Sequence, residues 1–303
     1  MSNFTSHNLE LKSHMKNNFI NKHKTIFNIS DFIKQALNED IGNGDHTTLA
    51  TIPESAKGKM CLYVKDNGVI AGIDAAKEIY KTYPANFKFK PFLKDGDIVK
   101  KGQIAFEVEG KSRDLLSTER LVLNIMQRMS GIATHTDELM QYCKGTKAKV
   151  IDTRKTTPGF RFFEKWAVVI GGGSNHRYGL FDMILIKDNH VDFAGGIDNV
   201  LDAVNHYQQY KKTKLRVELE VRNLNDIKIA LSNGKLDRIL LDNFSVTDTK
   251  KAVKLINGKF EVESSGGITK KTISNYAKAG VDYISVGALT HHVKSLDLSL
   301  KAK

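Results

Sequence analysis

The sequence predicts an α/β protein in which a β/α barrel short of eight strands follows a smaller α+β domain. Three observations carry that expectation. From about residue 148 to 290, apolar strand-like runs alternate with amphipathic helical stretches, and the repeat settles to roughly 22 residues, the rhythm of a parallel sheet with crossover helices. Nearly every one of those strands ends, at its C-terminal side, on a polar residue or a glycine: Arg154, Lys187, Glu220, Asp242, Ser265, Gly287. Barrels assemble active sites at that end from many strands in turn, whereas a doubly wound sheet concentrates function at one switch point. The region from about 25 to 130 lacks the rhythm and reads as short strands broken by turns.

Taken in order, residues 1–27 open with MSNFTSHNLELKSHMKNNFINKHK, polar and basic, with no apolar h-region and no small-residue cleavage site. They are expected to form a frayed or loosely docked extension on a cytoplasmic protein. ISDFIKQALNEDIG follows as a helix, then the strand candidates KMCLYV, GVIAG and FKFKPF and the hairpin KDGDIVKKGQIAFEVEG. Asp66-Asn67-Gly68 and Asp95-Gly96 supply the turn chemistry. The hairpin alone would pass for a biotinyl or lipoyl carrier, but it lacks the lysine that such carriers display at a tight turn. LLSTERLVLNIMQRMSGIAT places Leu121, Ile125 and Met129 on one helix face. The domain expected here covers 28–130, with the terminal stretch SLDLSLKAK (291–303) returning to it, and the barrel covers 131–290.

The barrel strands are KVIDT, MILIKD, LRVELEV, RILLDN, KFEVESS and YISVGAL. The stretches between them include FRFFEKWAVVIGG, GIDNVLDAVNHYQQYKK and SVTDTKKAVKLING, several of which end on glycine, which tolerates the left-handed conformation at a helix C-terminus.

Composition narrows the functional classes. A chain of 303 residues is long enough for two domains with substantial cores. The net charge of +12 suggests nucleic acid, but the lysines are scattered, aromatics do not interleave with them, and no binding motif appears. Attraction of small anionic substrates is the better reading. No apolar run reaches the roughly 20 residues of a membrane span. Cys61 and Cys143 have no metal-type spacing and read as small buried hydrophobes.

Strand parity then sorts the chemistry. In LRVELEV, Arg216, Glu218 and Glu220 share the face opposite the apolar one, and in KFEVESS so do Glu261, Glu263 and Ser265. Carboxylates inside a barrel are costly unless they bind cations or hydroxyls, so Glu218 and Glu263 are either ligands or an ion-pair layer with neighbouring Arg or Lys. ESSGGI and VGAL bring glycines to successive late strand ends, where backbone N–H groups can approach a phosphate; a ligand-free tight turn is the alternative. Arg154, Lys155, His176, Arg177 and Lys187 crowd positive charge at the early strands. That crowding suits a ligand with at least one carboxylate, gripped bidentately by arginine.

The blocks DTRKTTPGFR, EKWAVVIGGGSNHRYGLFDMILIKDNH, VELEV, LLDNF, ESSGGI and ISVGALTHHVKSLDLSL, with EDIGNGDHTT and ERLVLNIMQRMSGIAT before them, resemble the quinolinate phosphoribosyltransferase family over about residues 28–300. The resemblance implies an α/β sandwich domain beside an incomplete, about seven-stranded β/α barrel, in a homodimer with shared active sites. It implies conversion of quinolinate and phosphoribosyl pyrophosphate, with Mg²⁺, to nicotinate mononucleotide, pyrophosphate and CO₂ in de novo NAD biosynthesis. By that likeness Arg154, His176, Arg177 and Lys187, with Thr153, would hold quinolinate, and Arg120 would reach in from the partner subunit. Lys155 would contact the pyrophosphoryl donor and act catalytically. Glu220 and Asp242 would hold the ribose and the metal, directly or through water. Ser265, Gly266, Gly267 and Gly287 would cradle the 5′-phosphate. No nucleic acid or membrane partner is implied. Two alternatives differ in class: a nicotinate-type phosphoribosyltransferase, and a non-catalytic anion-binding relative linked to molybdate uptake.

Overall fold

The structure is a computed structural model and describes residues 19–303, so most of the expected N-terminal extension lies outside the described residues. The chain forms two compact units, one built from the residues up to 137 with 156–172 and 289–303, the other from 138–155 and 173–288.

The first unit begins with residues 19–23 in a helical turn and α1 (Ile29–Ile41). Asn28 caps α1 by accepting from the N–H groups of Ser30 and Asp31, so two of the helix's orphan donors are satisfied. The sheet is antiparallel and four-stranded. Its centre is β1 (Lys57–Val64) against β5 (Ile104–Lys111), flanked by β3 (Lys88–Pro91) on β5 and the C-terminal β12 (Leu298–Ala302) on β1. The last strand returns in register with the first, Leu62 facing Leu300. Tyr80, from the helix Ile73–Thr82, packs its ring against Phe87, Phe89 and Phe106.

Two helices bear on how the chain divides. The helix α4 runs unbroken from Ser112 to Tyr142, through the expected boundary at residue 130. Gly131 does not end it; a Cβ there would sit 2.3 Å from the Lys294 carbonyl oxygen, so the glycine serves close approach of the returning chain. The helix α5 (Arg161–Ile170), expected within the barrel, belongs to the first unit because its phenylalanines complete an aromatic cluster. Phe162 stacks on Phe27 at 4.6 Å, and Phe163 meets Phe32 at 5.1 Å. Phe19 also packs on Phe162, which ties residues 19–27 to this unit.

The second unit holds a parallel sheet in the order β6 (Lys149–Ile151), β11 (Tyr283–Ser285), β10 (Glu261–Ser265), β9 (Arg238–Asp242), β8 (Val217–Val221), β7 (Ile184–Ile186). Pairing of the first strand with the last curls the sheet towards a barrel. On the other side of β6, Ile151 makes an isolated parallel bridge to Ser174, so the sheet itself has six strands where about seven were expected. The expected incomplete barrel is what forms. Alternation along the strands is as parity demands: Val217, Leu219 and Val221 are buried on one face, and Glu218 is buried on the other. No described helix is long and apolar enough to cross a membrane.

Candidate active site

Parallel strands in one sheet put all their C-terminal ends on one rim, and the side chains there come from every strand. Past β6, Asp152 is fully buried while Arg154 and Lys155 are exposed. Asp152 accepts from the N–H of His176 at 2.9 Å and from the Asn175 side chain, fastening the 174–177 loop beside β6. The Thr153 hydroxyl accepts from the Lys155 N–H at 3.0 Å and turns the chain off the strand. Asp182 caps the other end of the loop through the N–H groups of Tyr178 and Gly179, and Arg177 donates to the Met183 carbonyl at 3.3 Å. Arg177 is half-buried; burial, and then the positive charge of Arg154, lower its guanidinium pKa. A half-buried guanidinium close enough to feel a second one makes a site that favours an anion.

Further round the rim, Lys187 follows β7 and lies 3.7 Å from Glu220 on β8. Burial raises the Glu220 carboxyl, with Lys187 opposing and Asp242 adding to the rise. Asp242 ends β9 and accepts from the Asn243 side chain at 2.8 Å. Ser265 ends β10 opposite Asp242, and its carbonyl accepts from the Asn243 N–H. Gly266 (φ +95°) cannot carry a side chain: a Cβ would fall 2.1 Å from Oδ1 of Asn243. Gly267 (φ +58°) opens onto free space, as a phosphate cradle requires. Gly287 sits just past β11 on the same rim.

The structure thus brings Thr153, Arg154, Lys155, His176, Arg177, Lys187, Glu220, Asp242, Ser265, Gly266, Gly267 and Gly287 into one unit, at the rim ends of its strands or in the loop beside them. Arg120 is an exposed residue of α4 in the other unit.

Below the rim lies a buried charged layer. Nη1 of Arg238 donates to Glu263 at 3.0 Å and lies 4.0 Å from Glu218; its guanidinium also stacks 3.9 Å above the Tyr283 ring. Of the two readings of Glu218 and Glu263, the ion-pair layer is the one observed. His176 Nε2 comes 2.9 Å from Glu218 Oε2, a close electrostatic contact not aligned as a hydrogen bond. These three residues have the donor types of a metal site. Arg238 already supplies the cation that such carboxylates need. Burial, reinforced by the Glu218 charge, pushes the Glu263 carboxyl up to about 8.

Sequence reasoning missed Asp152 as the loop's anchor, Asn243, and Arg238. The last had a signal: Arg238, Leu240 and Asp242 share one parity, so an arginine must face the buried carboxylates.

Comparison with known proteins settles the family. Residues 45–130 match the model of the quinolinate phosphoribosyl transferase N-terminal domain and residues 132–301 that of its C-terminal domain. The chain belongs to the quinolinate phosphoribosyltransferase family. It is 45% identical over 290 residues to the rice nicotinate-nucleotide pyrophosphorylase [carboxylating], chloroplastic, covering 91% of this chain and 78% of that one. A Bacillus subtilis relative, named a probable nicotinate-nucleotide pyrophosphorylase [carboxylating], is 40% identical, covering 88% and 92%. Among solved structures, NadC from Streptococcus pyogenes superposes with a TM-score of 0.85 at 39% identity, covering 91% and 96%.

Proposed function

We propose that the protein converts quinolinate and phosphoribosyl pyrophosphate to nicotinate mononucleotide, pyrophosphate and CO₂, a step of de novo NAD biosynthesis. The observation that carries this reading is the half-buried Arg177 guanidinium, its pKa lowered by burial and by the nearby charge of Arg154, on the same rim as the carboxylates Glu220 and Asp242. A dicarboxylate needs the first set and a ribosyl donor the second. Arg154, His176, Arg177 and Lys187 hold quinolinate, with Thr153 shaping the turn that presents Arg154. Lys187, which now leans towards Glu220, releases it for the incoming carboxylate. Ser265, Gly266, Gly267 and Gly287 take the 5′-phosphate on backbone N–H groups.

As the bond between C1 of the ribose and the pyrophosphate oxygen breaks, C1 becomes oxocarbenium-like, and Glu220 and Asp242 stabilise that positive charge. Lys155 neutralises the departing pyrophosphate. The pyridine nitrogen, which carries no proton, attacks C1 without a general base. The N-ribosylated ring is then an electron sink: the bond to the 2-carboxylate breaks, CO₂ leaves, and a proton takes its place. Glu220 and Asp242 offer the hard oxygen donors that Mg²⁺ prefers, and the upward shift of Glu220 by burial and by Asp242 fits a position that gains from a cation. Bound there, the metal would supply positive charge against the phosphates.

We also propose a homodimer in which Arg120 of each subunit serves the other's site. Arg120→Ala mixed with Arg177→Ala should then regain activity through hybrid dimers; no recovery under demonstrated subunit exchange counts against sharing. A cytoplasmic location is proposed too, and imaging of the tagged native chain checks it. The enzymatic reading is tested by steady-state assays with both acids: turnover of nicotinate but not quinolinate overturns it.

A further inference from the structure

One residue of the rim has a left-handed backbone that no helix end accounts for. Among the described residues three non-glycines have positive φ: Lys212, Asn243 and Asn257. Lys212 and Asn257 close the helices Ile197–Lys211 and Val246–Ile256, where a left-handed residue is an ordinary ending. Asn243 (φ +55°) instead follows β9 directly, next to Asp242. Asparagine enters that region more readily than most residues, and left-handed non-glycines gather at functional sites.

The conformation is held from several sides. The Asn243 N–H donates to the Ser265 carbonyl at 3.0 Å. Phe244 is buried, and its carbonyl accepts from the Tyr276 hydroxyl at 2.9 Å. Ser245 caps the helix that follows by accepting from the Asp248 N–H at 3.0 Å. Fixed in this way, the Asn243 side chain reaches both parts of the donor site. Its Nδ2 donates to Oδ2 of Asp242 at 2.8 Å, and its Oδ1 lies so close to Gly266 that a Cβ there would fall 2.1 Å away. We infer that Asn243 is a positioning residue for phosphoribosyl pyrophosphate: it ties the Asp242 carboxylate to the 265–267 turn and so sets the span between the ribose hydroxyls and the 5′-phosphate. With Oδ2 engaged, Oδ1 of Asp242 is the oxygen offered to a hydroxyl. A donor held at both ends depends on that span, because a displacement of about 1 Å can cost a hundredfold in rate.

This inference rests on the assignment of Asp242 and the 265–267 turn to the donor, and two substitutions test it. Asn243→Gly keeps the left-handed backbone and the N–H to Ser265 and removes only the amide. Asn243→Asp keeps the shape of the side chain and sets a second carboxylate against Asp242. Calorimetry with phosphoribosyl pyrophosphate should show Kd raised about tenfold by Asn243→Gly and at least as much by Asn243→Asp. Steady-state assays should leave KM for quinolinate within about twofold of wild type in both, because the acid is gripped elsewhere on the rim. Melting temperatures close to wild type would show that the fold is intact. Wild-type donor affinity in either variant overturns the inference, and so does an equal loss of donor and quinolinate affinity in Asn243→Gly. If the wild-type protein binds the donor but does not turn over quinolinate, the functional reading falls instead, and the donor affinities of the variants still decide the role of Asn243. A wild-type protein that binds no phosphoribosyl pyrophosphate overturns both.

Discussion

Replacing Gly266 by alanine tests the phosphate cradle at a point where the cost can be worked out. At φ +95° a residue with a Cβ is strained by about 1–3 kcal/mol. The new Cβ would lie 2.1 Å from Oδ1, 2.6 Å from Cγ and 2.9 Å from the backbone N of Asn243, so the asparagine must move. Moving it endangers its 2.8 Å hydrogen bond to Asp242, a bond to a charged group worth about 1.5–3 kcal/mol. Together these give about 2.5–6 kcal/mol, shared between stability and the geometry of the loop. Gly267→Ala is the control: at φ +58°, with nothing within 4 Å, it should cost only about 1–2 kcal/mol. Thermal unfolding should put Gly266→Ala several degrees below both the wild type and Gly267→Ala. Steady-state assays should raise its KM for phosphoribosyl pyrophosphate well above its KM for quinolinate, each relative to wild type. Two alanine variants with the same melting temperature and the same donor KM would refute the reasoning.

Three further outcomes follow from other contacts. Arg154→Ala or Lys187→Ala should weaken quinolinate more than the donor, as read from the two KM values; equal losses contradict the assignment. Glu164 is fully buried and receives Nε and Nη2 of Arg128 at 2.8 and 2.6 Å and the Thr157 N–H at 3.1 Å, so Glu164→Ala removes charge-assisted hydrogen bonds and should destabilise by about 1–3 kcal/mol in urea titration. Burial pushes the Cys143 thiol up to about 11 and raises that of Cys61 as well, so at pH 8 both remain protonated; Ellman's reagent should react only after denaturation, and rapid native-state reaction would contradict this.

The parts of the fold with a period were legible. Strand parity placed Glu218, Glu220, Glu261, Glu263 and Ser265 on one face, and the βα rhythm put the strand ends on one rim. What escaped was set by contacts remote in sequence. The helix Arg161–Ile170 reads like any barrel helix, and only the rings of Phe27 and Phe32, more than a hundred residues earlier, draw it into the first unit. The helix read from LLSTERLVLNIMQRMSGIAT extends further, to Ser112–Tyr142, and its Gly131 makes room for the chain at Lys294. At the site, the residue types announced an anion, while the supports did not announce themselves. Asp152 was visible as a charge at a strand end, but its hold on Asn175 and His176 depends on a loop that returns beside β6.

The central claim is tested most directly by incubating the purified protein with quinolinate, phosphoribosyl pyrophosphate and Mg²⁺ and measuring CO₂ and pyrophosphate together. The account predicts that both are released in equal amounts, that both require quinolinate, and that both fall with Lys155→Ala. Pyrophosphate without CO₂, or release indifferent to quinolinate, would contradict it.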